Sequence, residues 1–154
     1  MLQEYSRILV AVDGSEGSLK ALRKGVAISK RNNAKLYITH ILDDTGSLPF
    51  NVEEYVRIAE RNGHELLEKC QHYAQEYGLL DMGVLLEIGS PRTMISTTIP
   101  ERESIDLIIM GARGLNAVER FFIGSVSDFV IRRAVCDVLI IRTDTDNMPE
   151  GDFD

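Results

Sequence analysis

The stretch Ile105 to Arg133 reads IDLIIMGARGLNAVERFFIGSVSDFVIRR. The apolar run Asp106 to Met110 stops at Gly111, Gly114 follows after two residues, and Gly124-Ser125 follows after nine more, at the head of an amphipathic segment. The order is strand, glycine-punctuated loop, helix N-terminus. Backbone amides arranged in that way can wrap an anion, because the first turn of a helix has N–H groups with no partner inside the helix. The stretch therefore predicts a β-α unit with a phosphate site at its turn.

The same alternation extends to both sides. Arg7 to Val12 (RILVAV) is apolar after its first residue, as befits a strand covered on both faces. It ends at Asp13-Gly14, and Ser15 is placed to cap a helix with Leu19, Leu22 and Val26 at helical spacing, ending near Arg31 to Asn33. Lys35 to Leu42 reads as the second strand. A long helix follows over Val52 to Tyr77, closed by Gly78 and weakened or bent at Gly63. Val84 to Ile88 is the third strand. Ser90-Pro91 begins a third helix that Pro100 should cut short. Asp106 to Met110, Ser125 to Ala134 and Val138 to Arg142 supply the last strand, helix and strand, with Ser125 and Asp128 at capping-box spacing.

Strands alternating with helices imply an α/β fold: a single-domain, open five-stranded parallel sheet with right-handed crossovers and helices on both faces. Residues 1–143 make one domain, and 144–154 an acidic, solvated and disordered tail. In such sheets ligands sit at the carboxyl ends of the strands where the winding reverses. With strand order 3-2-1-4-5 the reversal falls between the first and fourth strands, setting Asp13-Gly14 across a crevice from Gly111 to Gly114.

Each residue of this constellation also has a purely structural use. Gly111 and Gly114 suit positive φ and close phosphate approach, or simply turn the chain. Gly124 and Ser125 offer free amides and a hydroxyl at the positive helix end. Asp13 can accept from ribose hydroxyls or an adenine amine, or close an Asx turn before Ser15. Arg113 and Arg120 can neutralise phosphate or lie in solvent. Ser127 and Asp128 could position a water, though finishing the helix cap is their commoner use. No G-x-x-x-x-G-K-[ST] occurs and no G-x-G-x-x-G follows the first strand. His40, His64 and His72 have no partners at metal-ligand spacing, and neither a G-x-S-x-G elbow nor a Cys beside a base is present. Catalytic residues and an intrinsic metal site are thus not expected.

Composition narrows the class further. With 44% hydrophobic and 27% charged residues the chain is of the folded globular type. Its formal charge is −7, but Asp144, Asp146, Glu150, Asp152 and Asp154 fall in the last eleven residues, and removing those five charges leaves −2. That balance speaks against nucleic acid as the main partner, since a nucleic-acid binder usually shows a basic face. Two isolated cysteines suit a reduced, cytoplasmic setting, and no secretory leader or membrane-spanning run is visible.

Residues 7–142 resemble the universal stress protein family in its ATP-binding branch. The likeness rests on ILVAVDGSEGS (Ile8 to Ser18), DLIIMGARG (Asp106 to Gly114) and GSVSDFVIRRAVCDVLIIR (Gly124 to Arg142). Its specific part is the G-2x-G-9x-G-[ST] spacing met by Gly111, Gly114, Gly124 and Ser125, which separates the family's nucleotide binders from members without the site. The resemblance implies a Rossmann-like sheet, akin to the adenine nucleotide alpha hydrolases, and a homodimer paired through Val138 to Arg142. It implies ATP, or ADP or AMP, as ligand, with Mg²⁺ or Mn²⁺ held mainly by phosphates and water. Carried onto this chain, Asp13 meets the adenosine part and the Ile41 backbone reads adenine. Gly111, Gly114, Gly124, Ser125 and Val126 surround ribose and phosphates, with Ser127 assisting, and Ala11 and Arg113 are counted with them as nucleotide-binding candidates. The implied role is a regulatory binding module for stress response. A slow ATP hydrolase or phosphotransferase, and a nucleotide-free structural dimer, are the alternatives. Two departures from the family pattern stand out: Asp137 replaces a common Pro after Cys136, and Pro100 interrupts a helix usually unbroken.

Overall fold

The computed structural model describes residues 4–47, 49–113 and 123–142. Gly114, Arg120 and the acidic tail lie outside the described residues. Five parallel strands, β1 (Arg7–Ala11), β2 (Lys35–Asp43), β3 (Met82–Gly89), β4 (Leu107–Gly111) and β5 (Asp137–Ile141), form one sheet in the order β3-β2-β1-β4-β5. The expected order is therefore met, with the winding reversal between β1 and β4. Register is fixed by the apolar strands themselves: Ile8 pairs with Leu36 on one side and Leu107 on the other, and Val10 with Ile38 and Ile109.

Alternate strand residues feed two cores. Ile8, Val10, Leu36, Ile38 and Ile109 pack with α1 (Glu16–Asn32) and α2 (Val52–Glu76) through Leu22, Val26, Leu67 and Cys70. Leu9, Tyr37, Ile108 and Met110 pack on the opposite face with Ile95, Ile99 and Val130. Those last residues come from a helical segment in three parts, α3 (Pro91–Thr93), a π-helical turn (Met94–Thr98) and α4 (Ile99–Glu103), and from α5 (Ser125–Arg133).

Helix ends mostly follow local chemistry. Ser15 caps α1 by accepting from Ser18 N–H, and Gly78, at φ +83°, closes α2. Gly63 has a packing reason: a Cβ there would stand 2.8 Å from Leu86 Cδ1 and 3.0 Å from His40 Cδ2. Three expectations are corrected. Ser90 makes no side-chain cap bond, although Pro91 does open α3. Pro100 does not end the third helical segment, which continues to Glu103. The π-helical turn accompanies this: Ile99 N–H reaches back to Met94 O, and Pro100 falls in the first turn of α4, a position that tolerates proline. Ser125 is not the cap of α5. Gly124 is, and Asp128 bonds Arg132 instead of closing a capping box.

The amino edge of the sheet is stapled by carboxylates. Asp106 accepts from the N–H groups of Ser6 (2.8 Å) and Arg7 (3.0 Å), and Asp137 accepts from Tyr5 Oη (2.8 Å). The departure at Asp137 thus ties the chain start to β5. That hydrogen bond to a carboxylate holds the Tyr5 phenol above its ordinary range.

Candidate functional site

Among the described residues, those singled out from the sequence lie at the carboxyl ends of β1, β2 and β4 and at the head of α5. Asp13 follows β1 in a tight turn in which its Oδ1 accepts from Ser15 N–H (2.9 Å) and its own N–H donates to Ser18 Oγ (3.2 Å). Gly14 takes φ +85°, a conformation that favours glycine. The Asx-turn use of Asp13 is therefore realised. It occupies one carboxylate oxygen, and Oδ2 has no hydrogen-bond partner among the described residues.

Across the switch point, β4 and α5 are tied together. Ser127 Oγ donates to Gly111 O (2.8 Å), Gly124 N–H donates to Ala112 O (2.7 Å), and Ala112 N–H donates to Ile141 O (3.0 Å). Two expectations change here. Gly111 does not adopt positive φ. It is glycine because a Cβ would meet the backbone of α1, 2.8 Å from the Gly17 carbonyl carbon and 3.1 Å from Ser18 N. The Gly124 amide is not free, being committed to Ala112 O. The amides of α5 without a partner inside the helix are those of Ser125, Val126 and Ser127, since the first helical bond is Asp128 N–H to Gly124 O. They stand at the positive end of the helix dipole.

Half-buried Ala11, Ile41, Met94 and Val126 border the second core. Ser125 is exposed and Arg113 half-buried. Met94, which no sequence motif marks, comes from the π-helical turn, and its thioether lies against Gly89. His40 has no metal-ligand spacing in the sequence, yet its Nδ1 is 2.8 Å from Val12 O, one residue before Asp13. Nothing in a single sequence marks either residue, because both act through packing set by the sheet. No group of three metal-binding side chains occurs among the described residues. Both cysteines are free thiols that burial pushes up, Cys70 to about 12 and Cys136 to about 11, which leaves them protonated and unreactive at neutral pH.

The sequence pattern of the universal stress protein family matches residues 4–142. The chain belongs to the universal stress protein family. A protein of Staphylococcus haemolyticus named for the same family is 40% identical over 142 residues, covering 91% of this chain and 86% of that relative. Among solved structures, the universal stress protein UspA from Lactobacillus plantarum superposes with a TM-score of 0.84 at 26% identity, over 92% of this chain and 100% of that one. A universal stress protein in complex with cAMP gives 0.67 at 27% identity, again over 92% and 100%. In this universal stress protein, no described helix is long and apolar enough to cross a membrane.

Proposed function

We propose that this universal stress protein binds an adenine nucleotide, ATP first and ADP or AMP as alternatives, in the crevice between β1 and β4. The observation that carries the reading is that the free Asp13 Oδ2 and the unpaired first-turn amides of α5 follow the carboxyl ends of the neighbouring strands β1 and β4, at the sheet's switch point. Asp13 would take the ribose side, the Ile41 backbone the base, and Ser125 to Ser127 the phosphates, with Gly111 and Gly114 lining the loop. The related protein solved with cAMP supports an adenine nucleotide as the class. Mg²⁺ or Mn²⁺ would be held by phosphate oxygens and water, which fits a site without an acidic trio among its described residues. The output is regulatory binding in the cytoplasm, by a homodimer formed along the edge strand β5, whose Val138, Leu139 and Ile140 are half-buried.

Thermal melting with and without ATP and Mg²⁺ tests the site. At 100 times its Kd a ligand adds about 2.7 kcal/mol, which for a domain of this size raises Tm by roughly 5–11 °C. No shift at millimolar ATP would sink the reading. Ser125→Pro sharpens the test. Gly124 is extended (φ −62°, ψ 159°), as a residue before proline should be, and proline suits the first helical position. The variant should fold as the parent does while lacking one amide. Loss of a hydrogen bond to a charged phosphate, about 1.5–3 kcal/mol, should weaken ATP binding about 10- to 100-fold.

A further inference from the structure

Val12 lies where β1 gives way to the Asp13 turn, and β2 takes both of its backbone polar groups. Its N–H donates to Thr39 O at 2.9 Å, completing the last strand pair, Ala11 with Thr39. Its carbonyl lies 2.8 Å from His40 Nδ1. A carbonyl can only accept, so Nδ1 carries the hydrogen and donates it.

In a continued parallel ladder, Val12 O would instead receive Ile41 N–H. The β1–β2 pairing stops one step short of that bond. Alternate residues of a parallel strand direct their N–H and C=O to the same neighbour. The Thr39 carbonyl faces β1, so the Ile41 N–H and C=O face that side too, just past the end of β1, where the crevice opens. The imidazole has the room it needs because Gly63 of α2 carries no Cβ, which would stand 3.0 Å from His40 Cδ2.

We propose that His40 is a positioning residue for base recognition: by occupying Val12 O it keeps the Ile41 N–H and C=O unpaired as a donor–acceptor edge on the crevice. Adenine matches that edge, since N1 accepts and the 6-amino group donates. Hypoxanthine opposes it, since N1–H donates and O6 accepts. The assignment rests on the nucleotide reading above and adds what sets its preference for adenine.

The test compares ATP and inosine triphosphate by calorimetry, and Ile41 amide exchange in the nucleotide-free protein by NMR. The parent should prefer ATP, and its Ile41 amide should exchange faster than those of Ile38 and Thr39. His40→Phe keeps a ring against Gly63 but has no donor. Val12 O then recruits Ile41 N–H, so amide exchange slows and the ATP preference falls about tenfold, the equivalent of one hydrogen bond. His40→Asn, whose side-chain amide can replace Nδ1–H, should keep the preference. A residue that only packed would lower both affinities alike. If His40→Phe does not fold, His40→Leu is the donor-free replacement. Unchanged Ile41 exchange and an unchanged nucleotide ratio in the donor-free variant would overturn the assignment of His40 alone. A parent that binds neither nucleotide would overturn the nucleotide reading before any variant is made, and this assignment with it.

Discussion

Gly111→Ala separates two reasons for a glycine at the end of β4. If the residue serves only phosphate approach, an added methyl leaves the nucleotide-free protein untouched and abolishes the ligand-induced shift. The structure argues otherwise. The new Cβ would lie 2.8 Å from the Gly17 carbonyl carbon, 3.0 Å from its oxygen and 3.1 Å from Ser18 N, all backbone atoms of the first turn of α1. Ordinary contact begins at 3.4 Å, so α1 must retreat by about 0.6 Å, and no side-chain rotation can absorb the movement. That turn is itself pinned by Ser15 N–H to Asp13 Oδ1 and Asp13 N–H to Ser18 Oγ, so the displacement spreads into the Asp13 loop. Overpacking of this kind costs about 1–3 kcal/mol, or roughly 2–12 °C in Tm for a domain of this size. Differential scanning calorimetry of nucleotide-free protein measures it directly. A variant that melts within 1 °C of the parent would show that the backbone of α1 does not dictate this glycine and return Gly111 to the phosphate alone.

Ser127→Ala removes the donor to Gly111 O from a position that is 3% exposed. Urea denaturation should show a loss of about 1–3 kcal/mol with an unchanged m-value. Asp106→Ala frees the N–H groups of Ser6 and Arg7 and should cost about 1.5–3 kcal/mol by the same assay, without altering nucleotide affinity, because Asp106 lies at the opposite edge of the sheet. Cys70 supplies a pH dependence. Burial raises its thiol from 9.0 to about 12, so between those values the unfolded chain loses a proton that the folded one keeps. Its contribution is intact below pH 9 and declines as pH rises towards 12, by up to about 1.4 kcal/mol per unit. Cys70→Ala should flatten that alkaline limb, and the parent thiol should resist aromatic disulfide reagents at pH 8 until urea unfolds the chain.

Much of the fold was legible because its strands are covered on both faces. Such strands read as unbroken aliphatic runs, and RILVAV and KLYITHIL bracket β1 and β2 to within a residue or so. The Ser15 cap and the Gly78 stop were legible for an equally local reason, since each depends on its own side chain or its lack of one. Pro100 misled because the rule for proline presumes a regular α-helix. A π-helical turn before it changes which amides must donate, and no residue in the chain announces that turn.

The glycine spacing has a packing reason beside the anion-binding one. Gly111 is held by the backbone of α1, and the Gly124 amide by Ala112 O. Gly111 would therefore be required by a chain with this packing even if it held no ligand, and the Gly124 amide is committed whatever side chain stands there. The spacing marks the meeting of β4, α1 and α5 as firmly as it marks a phosphate. What distinguishes a binding site from a well-packed junction is whatever the junction leaves unused. Here that is the carboxylate Oδ2 of Asp13 and the amides of Ser125 to Ser127. Substitutions that spare the packing and delete one of those groups, as Ser125→Pro does, therefore discriminate function from fold, whereas replacing Gly111 perturbs both at once.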